Sequence, residues 1–214
     1  MNYIAERRQE EKERRRAEIL DAAEAVTASG GWDELTMDQV ARRARLSRAL
    51  LYVYFKDKTD LMYGICGRGL EVLRRQCEDV AARHESGFEQ VMALTRAYVA
   101  LSQDYPVYFD IMARCTLREV RTEGAPENET NCNLAGDAMG ARISAMIVRG
   151  MSDGSIRRDL GSVPVAASAL WGFAQGVIQI AFSRRALLEH QGVKPDRMLD
   201  TALDLMARSI TARP

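Results

Sequence analysis

Residues 36–61, TMDQVARRARLSRALLYVYFKDKTDL, decide how this chain folds. Thr36 is followed three residues later by Gln39, the capping-box spacing that starts a helix. Met37, Val40, Ala41 and Ala44 then recur at i, i+3, i+4 and i+7, one apolar face. The periodicity breaks at Arg45 and Leu46. Ser47 is a good N-cap, so the spacing predicts a second helix from Arg48 to Phe55. Within it Leu51 and Phe55 face inward, one turn apart, while Arg48 and Tyr52 face outward. Asp57, with Asp60 three residues on, restarts a helix at Lys58. Two short helices around a tight turn, the second exposing Arg and Tyr, describe a helix-turn-helix. The pattern alone also fits an amphipathic helical hairpin with a solvated basic face.

Charge favours the first reading. Between residues 40 and 58 six basic side chains stand against Asp57 alone, a local net charge of +5. The whole chain has 30 basic and 30 acidic residues, so the basic patch is local, as phosphate binding requires. The stretch from about Arg16 to Leu61 resembles the DNA-binding domain of the TetR family of bacterial transcriptional regulators. The resemblance rests on Ile19, Ala22 and Ala23, the Gly30-Gly31 turn, Leu35-Thr36, Val40-Ala41, the run Leu46 to Phe55, and Lys58. Ala49 replaces the family's usual Gly and Tyr54 its usual His, and Val53 stands where a polar or aromatic residue often meets phosphate. These departures bear on the operator sequence rather than on the family.

The residues expected at the DNA are Thr36, Arg45, Ser47, Arg48, Ala49, Leu50, Tyr52, Tyr54 and Lys58. Arg48, just after the cap, suits bidentate contact to guanine, and Ala49 suits a thymine methyl. The resemblance implies that Thr36, Tyr52, Tyr54 and Lys58 touch phosphates. Residues 1–16 read as a solvated helical or flexible extension, with Glu10–Arg14 and Glu11–Arg15 in the favoured i, i+4 order. An arm adding Arg14, Arg15 and Arg16 to the DNA contacts is the other reading.

Downstream the period stays helical throughout, and no strand alternation or repeat occurs. The fold class is therefore all-α. A DNA-binding domain is expected over residues 1–60 and a helical regulatory domain over 61–214. Residues 58–83 read as one helix, and 121–133 (RTEGAPENETNCN) as a polar surface loop. A further helix is expected from Leu134 to Met151.

Residues 161–183 carry no charge, but Gln175, Gln179, Ser168 and Pro164 make them too polar for a membrane span. A helix apolar nearly all round is instead buried, here against the chain's own core and a second subunit. The resemblance implies a four-helix dimer interface from the last two helices, with Gly172, Gly176, Leu199, Leu203 and Met206 as candidates. It also implies a ligand pocket. Met62, Tyr98, Tyr108, Phe109, Met112, Met146, Trp171 and Phe173 are its candidate lining, and each is equally at home in a core.

The N-terminus lacks an apolar signal region, and the four cysteines show no CxxC pair, so reduced thiols in a cytoplasmic protein are expected. Cys66 and Cys77, about 16 Å apart along one helix, read as small buried hydrophobes. His84 and His190 have no ligand spacing, so neither a metal nor another cofactor is expected. No phosphate loop or nucleophile elbow appears. The expectation is a homodimeric regulator, most simply a repressor released from a pseudo-palindromic double-stranded operator by a small apolar or aromatic inducer. A helical enzyme or an interaction protein without a DNA role is the alternative. Gly64, Gly67 and Gly69 lie together in one helix, either as a hinge for signal transmission or for close packing.

Overall fold

The computed structural model describes residues 3–121 and 123–212. Residues 1 and 2 of the expected extension, and Thr122 of the expected loop, lie outside the described residues. Among the described residues there are ten helices and no strands. They are α1 (Tyr3–Gly30), α2 (Met37–Arg43), α3 (Arg48–Tyr54), α4 (Lys58–Arg83), α5 (Gly87–Asp104), α6 (Pro106–Thr116), α7 (Glu127–Asp153), α8 (Val163–Ser183), α9 (Arg185–His190) and α10 (Pro195–Ile210). The all-α class is as expected. The chain forms two compact units, Met1–Gly69 with Val107–Asn133, and Leu70–Pro106 with Leu134–Pro214. The boundary expected at residues 60 and 61 falls inside the first segment of the first unit.

Local chemistry sets the ends of the short helices in the first unit. Gly31, at φ +81°, ends α1 by donating to the Thr27 carbonyl at 2.8 Å. Both halves of the Thr36–Gln39 capping box are made, at 3.2 Å and 2.7 Å. Helix α2 stops in a Schellman motif: Leu46 N–H donates to the Ala41 carbonyl at 2.9 Å and Arg45 N–H to that of Arg42 at 3.2 Å. The left-handed position falls on Arg45, at φ +57°, where glycine is the usual residue. Ser47 caps α3 by accepting from Leu50 N–H at 3.2 Å. Leu51 and Phe55 are fully buried, together with Ile19, Ala23, Val40 and Leu61. Asp57 accepts from Asp60 N–H at 2.8 Å and so starts α4.

Residues 127–133 are not loop. They are the first two turns of α7, and Asn128, Glu129 and Cys132 are buried. Their polarity misleads because tertiary partners satisfy it. Asn128 accepts from Arg16 and donates to Asp60 Oδ1 at 2.6 Å, while the other Asp60 oxygen accepts from Lys56 N–H at 2.9 Å. Glu129 pairs with Arg121 at 2.8 Å. Arg14 and Arg15 pair with Glu18 rather than with Glu10 and Glu11.

The three glycines of α4 differ. A β-carbon at Gly64 would come within 2.9 Å of Leu20 Cδ2, and one at Gly69 within 2.8 Å of Met112 Sδ. One at Gly67 would meet nothing within 4 Å.

In the second unit Ser86 and Glu89 form a capping box that starts α5. Gly87 N–H donates to Asp153 Oδ2 at 2.8 Å, and Gly87 lies so close to Gly150 and Met146 O that no side chain fits. Helices α8 and α10 pack on each other and on α5. Among the described residues α8 is long and apolar enough to cross a membrane, and 28% of its most apolar window is buried inside the chain. It is not buried all round: Ala167, Ala174, Ile178 and Ala181 face inward, while Val165, Phe173, Ile180 and Phe182 are exposed. The six-residue α9 has no sequence signal strong enough to have separated it from its neighbours.

Candidate functional site

Helix α3 carries the candidate nucleic-acid face. Ser47, Arg48, Ala49, Leu50, Tyr52 and Val53 are all exposed, and Val53 is 76% accessible. Arg42, Arg43 and Arg45, at the end of α2 and in the turn, are exposed as well. A helix that buries only Leu51, and whose sequel buries Phe55, offers almost its whole outer surface to a partner.

Two of the side chains expected at DNA are held in place before any DNA is present. Arg48 Nε pairs with Asp38 at 3.2 Å, and its guanidinium lies 5.6 Å from the Tyr52 ring centre. The bond with Tyr52, then the Asp38 charge, raises the Arg48 pKa, so the group stays cationic. Lys58 donates to the Asp33 carbonyl at 3.0 Å, with its ammonium 5.2 Å from the Trp32 ring centre. The ammonium retains further donors for a phosphate. Thr36 is exposed and Tyr54 half-buried. Arg16 takes another role from the one an arm would give it: it lies over the Phe55 ring at 4.7 Å and donates to Asn128.

Residues 19–63, which span α1 to the start of α4, match the model of bacterial regulatory proteins of the tetR family. The HTH-type transcriptional repressor KstR of Mycolicibacterium smegmatis is 26% identical over 162 residues, covering 76% of this chain and 75% of that protein. Residues 19–63 thus carry a tetR-type DNA-binding domain, and the chain as a whole is similar to TetR-family regulators. Solved TetR-type structures share the fold. A tetR-family regulatory protein from Rhodococcus RHA1 superposes with TM-score 0.68 at 18% identity, over 94% of this chain and 98% of its own. The regulator FadR from Bacillus subtilis, in complex with stearoyl-CoA, does so with TM-score 0.63 at 19% identity, over 89% and 97%.

The candidate ligand residues divide between the units. Met62, Tyr108, Phe109 and Met112 belong to the first, and Tyr98, Met146, Trp171 and Phe173 to the second. Tyr98 and Trp171 line one cavity of about 50 Å³ with Leu73, Leu94, Met139 and Ile143. Beside it Tyr98 bonds Gln175 Oε1, and the buried Gln175 Nε2 has no hydrogen-bond partner among the described residues. Phe173 instead lines an open groove of about 650 Å³ between α8 and α10, with Val177, Val193, Met198 and Leu205. Met146 is buried at the α5–α7 crossing.

Of the candidate dimer residues, Leu199 and Met206 are buried within the chain itself and Leu203 is half-buried. A β-carbon at Gly172 or Gly176 would meet nothing within 4 Å in this chain.

One group escaped the sequence reading. Cys66, Cys115 and Cys132 come together, with the Cys66 and Cys132 sulfurs 3.0 Å apart. Their mutual hydrogen bonds, first with Cys115 and then with Cys66, lower the Cys132 pKa, while those of Cys115 and Cys66 rise. No spacing announces the group, because its members sit on three helices.

Proposed function

We propose that this chain acts in the cytoplasm as a homodimeric repressor whose two α3 helices enter successive major grooves of a pseudo-palindromic operator. The exposed, Ser47-capped α3 carries the reading, because its only buried side chain is Leu51 and its polar face is basic and aromatic. Arg48 reads guanine and Ala49 meets a thymine methyl. Arg45, Tyr52, Tyr54, Lys58 and Thr36 hold phosphates, with Ser47 and Leu50 at the same surface. The bond to Asp38 orients Arg48 in the free protein and competes with the base edge, which penalises wrong sequences.

The dimer forms on α8 and α10. Leaving Val165, Phe173, Ile180 and Phe182 in water would cost about 25 cal/mol per Å² of apolar surface, and a second copy removes that cost. An apolar inducer enters beside Tyr98 and Trp171. The unpartnered Gln175 amide supports a ligand with one polar acceptor. A ligand site for a drug-sized molecule occupies roughly 300–1,000 Å³, so the 50 Å³ cavity must widen, and that widening is the allosteric movement. The stearoyl-CoA in the B. subtilis FadR complex makes long acyl thioesters the first inducers to test.

The test is selection of genomic DNA fragments on the purified protein, followed by affinity measurements with and without stearoyl-CoA. The expected result is one inverted-repeat motif bound by a dimer. Retention of unrelated fragments with equal affinity would overturn the operator reading. Failure of acyl thioesters and simple aromatics alike to release the DNA would overturn the inducer reading.

A further inference from the structure

Cys66 on α4, Cys115 on α6 and Cys132 on α7 all lie in the first unit, with their sulfurs within 4.8 Å of one another. Cys66 and Cys132 are buried and Cys115 half-buried. Packing accounts for each cysteine taken singly, since a thiol is a small hydrophobe. Packing alone does not require three sulfurs, from three helices, to converge on one point. Cys77, equally buried on α4 but in the second unit, is outside the group and shows what an isolated packed cysteine looks like.

We propose that Cys66, Cys115 and Cys132 form a binding site for one soft, thiophilic metal ion, held by three thiolates. The dimensions suit it. With metal–sulfur bonds of about 2.3 Å, three thiolates sit roughly 3.7–4.0 Å apart, so each edge of the present triangle needs to change by only about 1 Å. The donor set selects the ion. Thiolates prefer Zn²⁺, Cd²⁺ or Cu⁺ and reject Mg²⁺ and Ca²⁺, which take oxygen. Neither histidine belongs to this unit, and among the described residues no histidine or carboxylate joins the three sulfurs. Cys115 is half-buried, so its side is the one from which a water would reach the ion as fourth ligand.

Binding is an exchange without redox change: one divalent ion enters, three S–H bonds break, and three protons leave to solvent. The complex carries one net negative charge, and Arg118, whose charge acts on Cys115, offsets it. The ion ties α4, whose first residues follow α3 directly, to α6 and α7.

The experiment is titration of the reduced full-length protein with Cd²⁺ in the absence of oxygen. It is read by thiolate-to-metal charge-transfer absorption, by native mass and by proton release. One ion per chain and a raised Tm are expected for the wild type and for Cys77→Ser. Cys132→Ser should weaken binding by at least about a hundredfold, because a two-thiolate site loses both charge and geometry. Cys115→Ala, at the half-buried position, is the second variant should the buried Ser disturb folding, and it should lose the band to the same degree. Binding unchanged in both variants, binding lost in Cys77→Ser, or no charge-transfer band in the wild type would each overturn the site. A Cys66–Cys132 disulfide that forms readily under oxidant in protein unable to take up Cd²⁺ would also overturn it. None of these readouts involves DNA, so the result is independent of the operator reading.

Discussion

Helices α3 and α8 each leave a face uncovered in the single chain, and the two faces have opposite chemistry. Around α3 the exposed side chains are Arg48, Tyr52 and the neighbouring Arg42, Arg43 and Arg45. On α8 they are Val165, Trp171, Phe173, Ile180 and Phe182, with no charge from residue 163 to 183. A solvated basic face costs nothing to keep exposed, so α3 can wait for a polyanion. An apolar face of that size costs free energy for as long as it stays wet, which is what supports a permanent partner on α8 in the proposed dimer. Exposure alone therefore does not distinguish a transient from an obligate surface. The hydration of the exposed groups does.

Breaking α8 should have the largest effect. At Gly176 a β-carbon would meet nothing within 4 Å, so Gly176→Leu starts its side chain in open space and the chain should keep its helix content. Sedimentation should show monomer, and operator affinity should fall by about 10²–10⁴-fold as the second half-site becomes an independent event. A variant that stays dimeric with full affinity would remove Gly176 from the interface.

On α3, Arg48→Ala should lower operator affinity by roughly 5- to 150-fold and erase the preference at one base pair. Lys58→Ala should weaken specific and random DNA alike and reduce the salt slope by about one. If Arg48→Ala weakens random DNA equally, Arg48 is a phosphate contact and the base reader lies elsewhere.

Asn128→Ala tests the scaffold beneath the basic face. It strips a donor from the buried Asp60 carboxylate and an acceptor from Arg16, which should cost about 1–3 kcal/mol in denaturant unfolding. Unchanged stability would mean that water replaces the amide without loss.

The glycines of α4 give the smallest effects and separate hinge from packing. Gly67→Ala should stabilise by up to about 1 kcal/mol, because the β-carbon meets open space. Gly69→Ala should destabilise, since its β-carbon would sit 2.8 Å from Met112 Sδ and 3.1 Å from Tyr108 Cβ. Thermal melts decide the sign. If Gly67→Ala also leaves inducer release unchanged, the hinge reading fails and only close packing at Gly64 and Gly69 remains.

What residues 30–61 do was legible in the sequence because their signals are local. The Thr36–Gln39 box, the Ser47 cap, the Asp57–Asp60 start and the Gly31 stop each close a hydrogen bond within four residues. The Leu51–Phe55 spacing likewise needs only one turn of helix to pick its face. Tertiary structure alone decided the rest. Residues 127–133 look like loop until Arg16, Asp60 and Arg121 arrive from elsewhere in the chain to satisfy them. Arg16 itself reads as a surface cation, yet it lies over Phe55. Leu199 and Met206 show an apolar stripe, which says that one face of α10 is covered but not whether its own chain or a partner covers it. The three cysteines carry no common spacing, and only the packing of three helices brings their sulfurs together. Helix ends depend on backbone groups that neighbouring residues can reach, so sequence determines them. Which buried groups meet depends on contacts between distant segments, and no local pattern encodes those.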